Sequence, residues 1–355
     1  MFDTVREVGL VAQRESIDCH FEQSGALEVA ALPVQMQRLH EELDYARSFG
    51  FGDDDYRWLG EEEVSKTLRV DGALGGILMN HCAAIHPARL ARGLAETVEN
   101  SGVRLYEQSP VLKIDGHTAI TPAGKVSATK IILATEGYTG SLPGQNCRLI
   151  PLHSMMVVTE PLTPGQIGEI HFHKRFAFGN LDRIVTYGQL TADNRIAFGC
   201  RGSYHFKSGI REFDPADAEF ELVRQSLLRF FPSLEGIRFT HAWGGAMGVS
   251  RSLRPSVNYS PETGLGWAGG FFGNGVGATH LAGRTMADLV LGRDTDRVNT
   301  PWVNPPDALR RWEPEPLRWL GIKARVRLMQ IADNAEYRRS SLAPAISGTL
   351  DRLFP

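Results

Sequence analysis

Gly269, Gly270, Gly273, Gly275 and Gly277 crowd one stretch of this chain. They lie between a short apolar run (265–268) and a helical pattern carrying Leu281, Met286, Leu289 and Val290. Glycine reaches positive φ without strain and lets a ligand approach the main chain closely. A helix that starts straight out of such a turn presents unpaired N–H groups and a partial positive charge. That geometry suits a phosphate or an electron-rich ring carbonyl; a tight packing turn is the competing reading. Other reactive residue types make no such cluster. Asp53, Asp54 and Asp55 read as a solvated loop or helix start rather than a metal site, His86 as the residue that opens a helix, and no acid–base triad is found.

Composition sets the class in which that turn must work. The 355 residues suffice for a sizeable core, in one large domain or two intertwined ones. Apolar content of 42% with 22% charged residues is ordinary for a globular enzyme. A net charge of −3 gives no electrostatic reason to expect nucleic acid. No apolar run approaches the ~20 residues that span a bilayer, and the first ten residues lack the build of a secretory signal. Cys19, Cys82, Cys147 and Cys200 are widely spaced, so neither a disulfide framework nor a metal site is expected, and a cytoplasmic location is.

The elements that must position the turn follow in chain order. A short helical piece precedes two strands within 17–30, and Pro33 opens a helix with Met36, Leu39, Leu43 and Ala46 on one face. Residues 61–68 read as a short helix and 72–76 as a loop. Pro87 starts a helix whose buried face is Leu90, Leu94 and Val98, followed by a strand at 103–107. Short strands lead to 126, and 130–134 is a buried strand running into Thr135, Glu136 and Gly137. From 151 the texture becomes antiparallel, with strands at 154–159, 183–187 and 195–199 and one helix capped by Asp214 and Pro215, facing Phe220, Val223, Leu227 and Phe231 inward. A strand at 239–243 leads back to the glycine-rich turn. Residues 301–316 are a proline-rich connector. Residues 317–340 form a basic amphipathic helix with Arg318, Lys323, Arg325, Arg327, Arg338 and Arg339 against Asp333 and Glu336. Docking onto its own domain is expected for that helix, rather than onto anionic lipid.

Four stretches together resemble the FAD-dependent amine and amino-acid oxidoreductases of the D-amino-acid oxidase type, which include glycine and sarcosine oxidases and γ-glutamylputrescine oxidoreductases. They are HPARLARGLAETVENSGVRLYE, KIILATEGYTG, RIAFGCRGSYHF and GLGWAGGFFGNGVGATHLAGRTMADLVLG, and the likeness runs from about Ile17 to Gly292. It implies an α/β (mixed α+β) fold, with an FAD-binding Rossmann-like domain interleaved with an antiparallel-sheet substrate domain. Residues 1–85 would be mostly substrate-domain elements, 86–150 an FAD-domain segment, 151–255 the antiparallel domain, 256–295 the FAD-domain return and 296–355 a C-terminal extension. The resemblance implies non-covalent FAD, met by the backbone at Val111 near the adenine and by the turn Ala134, Thr135, Glu136 and Gly137. Gly270, Gly273, Asn274, Gly275, Val276, Gly277 and Thr279 would lie on the ring side. It further implies hydride transfer from an amine carbon to flavin N5, with helix-start N–H groups stabilising the charge left on the ring. Tyr204, Arg254 and Asn274 are the substrate-side candidates.

Three departures qualify the match. Sarcosine-oxidase-like members carry a lysine near the position of Gly277, and the cysteine that tethers flavin in some members has no counterpart in WGGAMGVSRSLRP. An elongated amine such as γ-glutamylputrescine is therefore expected over a small N-methyl amino acid. The family's opening strand–GxGxxG–helix unit is not matched in residues 1–110, so an N-terminally incomplete Rossmann-like domain is expected, with FAD binding weakened in the chain alone. A non-catalytic, partner-binding remnant of the same fold is the alternative.

Overall fold

Strand alternation builds the largest layer of the molecule: successive side chains point to opposite faces, so one parity faces a core and the other is free to form a site. The computed structural model describes residues 1–273, 275–305, 308–340 and 342–353. The first third holds α1 (Phe2–Arg14), β1 (Ala26–Ala30), α2 (Pro33–Ser48), β2 (Tyr56–Gly60), α3 (Glu61–Thr67), β3 (Gly75–Met79) and α4 (Pro87–Asn100). The short strands β4 (Lys113–Asp115), β5 (Thr118–Thr121), β6 (Gly124–Ser127) and β7 (Ile131–Leu133) come next. Then follow β8 (Ile150–Thr159), α5 (Pro164–Glu169), β9 (Ala177–Asn180), β10 (Thr186–Leu190), β11 (Ile196–Ser203), α6 (Glu219–Phe230) and β12 (Phe239–Val249). The last stretch holds β13 (Ser256–Ser260), β14 (Leu265–Gly269), α7 (Gly275–Leu291), α8 (Leu317–Tyr337) and α9 (Ala343–Leu353).

Eight strands form one mixed sheet in the order β12-β8-β11-β10-β9-β1-β3-β2. All its pairings are antiparallel except β1 with β9, which run parallel and join the strands near the N-terminus to the later meander. One face buries Leu27, Val29, Met155, Val157, Phe178 and Phe198 against Phe220, Val223, Leu227 and Phe230 of α6. Phe178 meets Phe172, Phe198, Phe230 and Phe231 with ring centroids 5.4–6.0 Å apart. Each such ring contributes about 1.5–3 kcal/mol by leaving water. A second sheet, β13-β14-β7, has α7 packed on one face through Val257, Ala268, Ala278, Ala282 and Met286. The third, β4-β5-β6, is a small meander.

Several sequence expectations change here. Residues 103–107 are not a strand but exposed chain that enters a turn at Glu107. An isolated extended segment has no ladder to satisfy its N–H and C=O groups. On the preceding helix Leu90 is buried but Leu94 and Val98 remain exposed. Residues 17–30 give one strand, with 17–24 joined to the rest by the Glu22–Ala84 bridge. Gly75 and Gly76, expected in a loop, begin β3, where glycine fits because a Cβ on Gly76 would lie 2.8 Å from the Glu28 carbonyl. The α6 helix starts at Glu219, so Asp214 and Pro215 form a preceding turn rather than the cap. The strand at 183–187 is displaced to Thr186–Leu190.

Candidate active site

The β14–α7 turn is clasped by a carboxylate. Glu136, at φ +37, accepts N–H hydrogen bonds from Gly270 at 3.1 Å and Phe271 at 3.0 Å, and another from Gly248. The space it occupies exists because its neighbours are glycines: a Cβ on Gly269 would lie 3.1 Å from Glu136 Oε2, and one on Gly248 would collide with it. Burial raises the Glu136 carboxyl above the usual range, and the three N–H donors pull it back. Gly137 permits a second close approach, since its Cβ would stand 2.7 Å from the Ala246 carbonyl oxygen. Thr135 hydrogen-bonds Thr139 side chain to side chain at 2.9 Å, and Ala134 is exposed.

Positive φ is used at Gly270 (+80°), Phe272 (+38°) and Gly273 (+97°). Gly275 is the first residue of α7, and a Cβ there would meet nothing within 4 Å. The conformational demand thus rests on Gly270 and Gly273, and Gly275 leaves open space at the helix start instead. Thr279 has committed its hydroxyl to the Gly275 and Val276 carbonyls at 2.7 and 3.0 Å. Val276 is exposed, and a Cβ on Gly277 would touch Met1 of the N-terminal helix at 3.1 Å. Asn274 lies outside the described residues.

The face of the large sheet opposite its core looks at this turn. Register aligns Ile77, Glu28, Gly179, Tyr187, Gly199, Met156 and Trp243 in one row across seven strands. Glycines alternate with large side chains in that row for a steric reason. A Cβ on Gly179 would sit 2.9 Å from Glu28 Oε2, and one on Gly199 would run into Met156 and stand 3.0 Å from the Tyr187 ring. One step along, Arg201 pairs with Ser154, whose hydroxyl hydrogen-bonds the Tyr187 hydroxyl. The Arg201 guanidinium lies over the Phe272 ring at 5.0 Å and abuts Gly273, so the turn closes this face. Burial and the charge of Glu42 push the Glu28 carboxyl up to about 8, with Arg201 pulling against them. Burial also raises the Tyr187 hydroxyl and lowers Arg201. One half-buried acid, one cation, a phenol and a hydroxyl therefore share a surface facing the glycine-rich turn.

The substrate-side expectations are redistributed. Tyr204 is 1% exposed and donates its hydroxyl to Glu315 at 2.7 Å, which makes it a packed aromatic under the C-terminal helix. Arg254 is exposed, and its backbone closes a turn with the Ser250 hydroxyl. Val111 is exposed beside the small meander. Sequence reasoning missed Glu28, Ser154, Tyr187 and Arg201, which come from four strands. The available signal was glycine inside strands, at 179 and 199, which marks a close approach.

Comparison with known proteins decides the family. The model of the FAD-dependent oxidoreductase (DAO) family matches residues 1–289. The chain belongs to the FAD-dependent oxidoreductase family. Among relatives of this FAD-dependent oxidoreductase, it is 31% identical over 292 residues to gamma-glutamylputrescine oxidoreductase of Escherichia coli (strain K12), a match covering 81% of this chain and 66% of that protein. The chain thus spans just under two thirds of that relative's length. Glycine oxidase from Geobacillus kaustophilus superposes with a TM-score of 0.70 at 18% identity, over 82% of this chain and 78% of that one. Iminodiacetate oxidase from Chelativorans sp. BNC1 gives 0.69 at 18%, over 86% and 84%. These two likenesses concern the fold.

The residues present fit the ring end of FAD. The open space at Gly275, the positive-φ glycines 270 and 273 and the start of α7 form a cradle that leaves room for a planar group and offers it N–H donors. Gly273, Gly275, Val276 and Gly277 would hold it there, with Glu136 fixing the turn from behind.

Proposed function

We propose that this oxidoreductase oxidises a C–N bond of an amine that also carries a carboxylate, with an elongated γ-glutamyl amine as the leading substrate class. FAD, when bound, supplies the two-electron acceptor for that bond. The chain's own residues orient the substrate and handle its charges. What carries the reading is that Arg201, whose charge acts on Glu28, lies on the sheet face that Phe272 and Gly273 close. A half-buried guanidinium offers a carboxylate charge-assisted hydrogen bonds. Glu28 is held mostly neutral near pH 7 by burial, and an arriving ammonium reverses that balance, because an opposite charge favours the carboxylate. The pair reads a substrate with one end of each sign. The name of the Escherichia coli relative, gamma-glutamylputrescine oxidoreductase, supports the same class.

Anaerobic mixing of the flavin-loaded protein with γ-glutamylputrescine, glycine, sarcosine and putrescine tests the assignment through loss of the visible flavin band. Bleaching is expected fastest with γ-glutamylputrescine. Arg201→Gln should raise KM for carboxylate-bearing amines by a factor equivalent to about 1.5–3 kcal/mol, typical of hydrogen bonds to a charged group. Putrescine should be little affected, and an equal loss on both would make Arg201 structural.

A further inference from the structure

Helix α8 turns its acids inward and its leucines outward. Glu336, 7% exposed, takes the Arg38 guanidinium at 2.6 and 3.1 Å. Asp333, also buried, accepts the backbone N–H groups of Arg183 and Ile184 at 2.9 and 3.0 Å. Arg318 is buried too, held by Glu315 and by the Asn146 carbonyl. These polar contacts, with Ala332 buried and Trp319 and Ile322 packed on the Ile150, Tyr204 and Val249 cluster, dock one side of the helix and leave the opposite side outward.

Leu317 is 63% and Leu320 52% exposed, and Ala324 and Ile331 are exposed as well. Steps of three, four and seven residues place all four on one face. Lys323 and Arg327 are exposed at its flank, and Arg338 and Arg339 are exposed just past the helix end. Among the described residues of α8, every exposed charge is positive.

We propose that this face docks on an anionic lipid surface, with α8 lying in the interface plane. Leucine and isoleucine side chains reach the acyl boundary, while lysine and arginine extend to the headgroups. Charge complementarity favours lipid phosphate, since burying both acids leaves nothing on the helix to repel it. The helices of the described structure include none long and apolar enough to cross a membrane, so the contact is peripheral.

Co-sedimentation of the full chain with vesicles rich in phosphatidylglycerol, and with phosphatidylcholine vesicles, at physiological salt tests this. Binding is expected to the anionic vesicles only. Lys323→Gln with Arg327→Gln should weaken it about thirtyfold, from about fivefold per basic residue. Leu320→Asn should also weaken it, with the melting temperature unchanged because the side chain is exposed. Equal binding to both vesicle types, or variants that bind as the parent does, would overturn the proposal. So would absence of vesicle binding in a chain that dimerises and is dissociated by Leu320→Asn, since the face would then belong to a second copy.

Discussion

Glu136 ties two turns together with one carboxylate, and Glu28 sits in the sheet with a carboxyl raised to about 8 from an ordinary 4.5. The two acids fail differently when altered. Removing Glu136 strands buried N–H groups at Gly270 and Phe271, so Glu136→Ala should cost about 2–4 kcal/mol in chemical denaturation and loosen flavin retention. Glu136→Gln keeps a carbonyl acceptor and should cost less. For Glu28 the sign of the linkage is fixed by direction. A raised acid contributes its full stability below the unfolded value and loses it as pH climbs through the folded one. Stability should therefore fall between about pH 4.5 and about pH 8 through this group. Glu28→Gln should flatten that decline, gaining on the parent at pH 9 relative to pH 5 in urea melts. A parallel decline in both proteins would remove Glu28 as its source.

At the scale of elements, the β14–α7 turn and α7 are the parts most legible in the sequence. Glycine spacing marked the turn, and the apolar run before it and the apolar residues after it marked the strand and helix that hold it. Gly273→Ala should be costly there, because φ +97° and the abutting Arg201 both oppose a Cβ. Flavin content per chain and the KM for carboxylate amines report the two effects separately. The sheet-face residues were hidden. Glu28 alternates with Leu27 and Val29, a pattern that equally describes a solvent-facing acid on a half-buried strand. Only pairing with β9, more than a hundred residues later, gives Glu28 its neighbours. Residues 103–107 misled in the opposite direction, since β-forming composition needs a partner edge before it becomes a strand. Amphipathicity and basic charge were legible in α8, but which side docks was decided by Arg38, Arg183 and Glu315, distant in sequence or outside the helix.

Across the whole molecule, the site is assembled from parts that no single stretch of chain contains. Glu28, Ser154, Tyr187, Arg201 and the Phe272–Gly273 turn converge only when both halves of the large sheet have met. The parallel β1–β9 seam is where they meet, reinforced by the Ser24 hydroxyl donating to the Arg175 carbonyl, 151 residues along. That seam also sets an order in time. During synthesis at about 5–20 residues per second, β1 emerges roughly 8–30 s before its partner. It can pair with β3 early, yet its other edge must wait with N–H and C=O groups unmatched. Closing so long a loop costs entropy that later contacts repay only together, which makes such pairing slow. Nascent chains arrested before residue 177 should therefore hold the antiparallel β1–β3–β2 pairings without the seam. A protease that cuts between Cys19 and Gly25 should cleave them readily and lose that access once β9 has been released. The oxidoreductase site in this sense waits twice, first for the seam at a strand made among the first and then for Arg201 and the Phe272–Gly273 turn, which leave the ribosome later still.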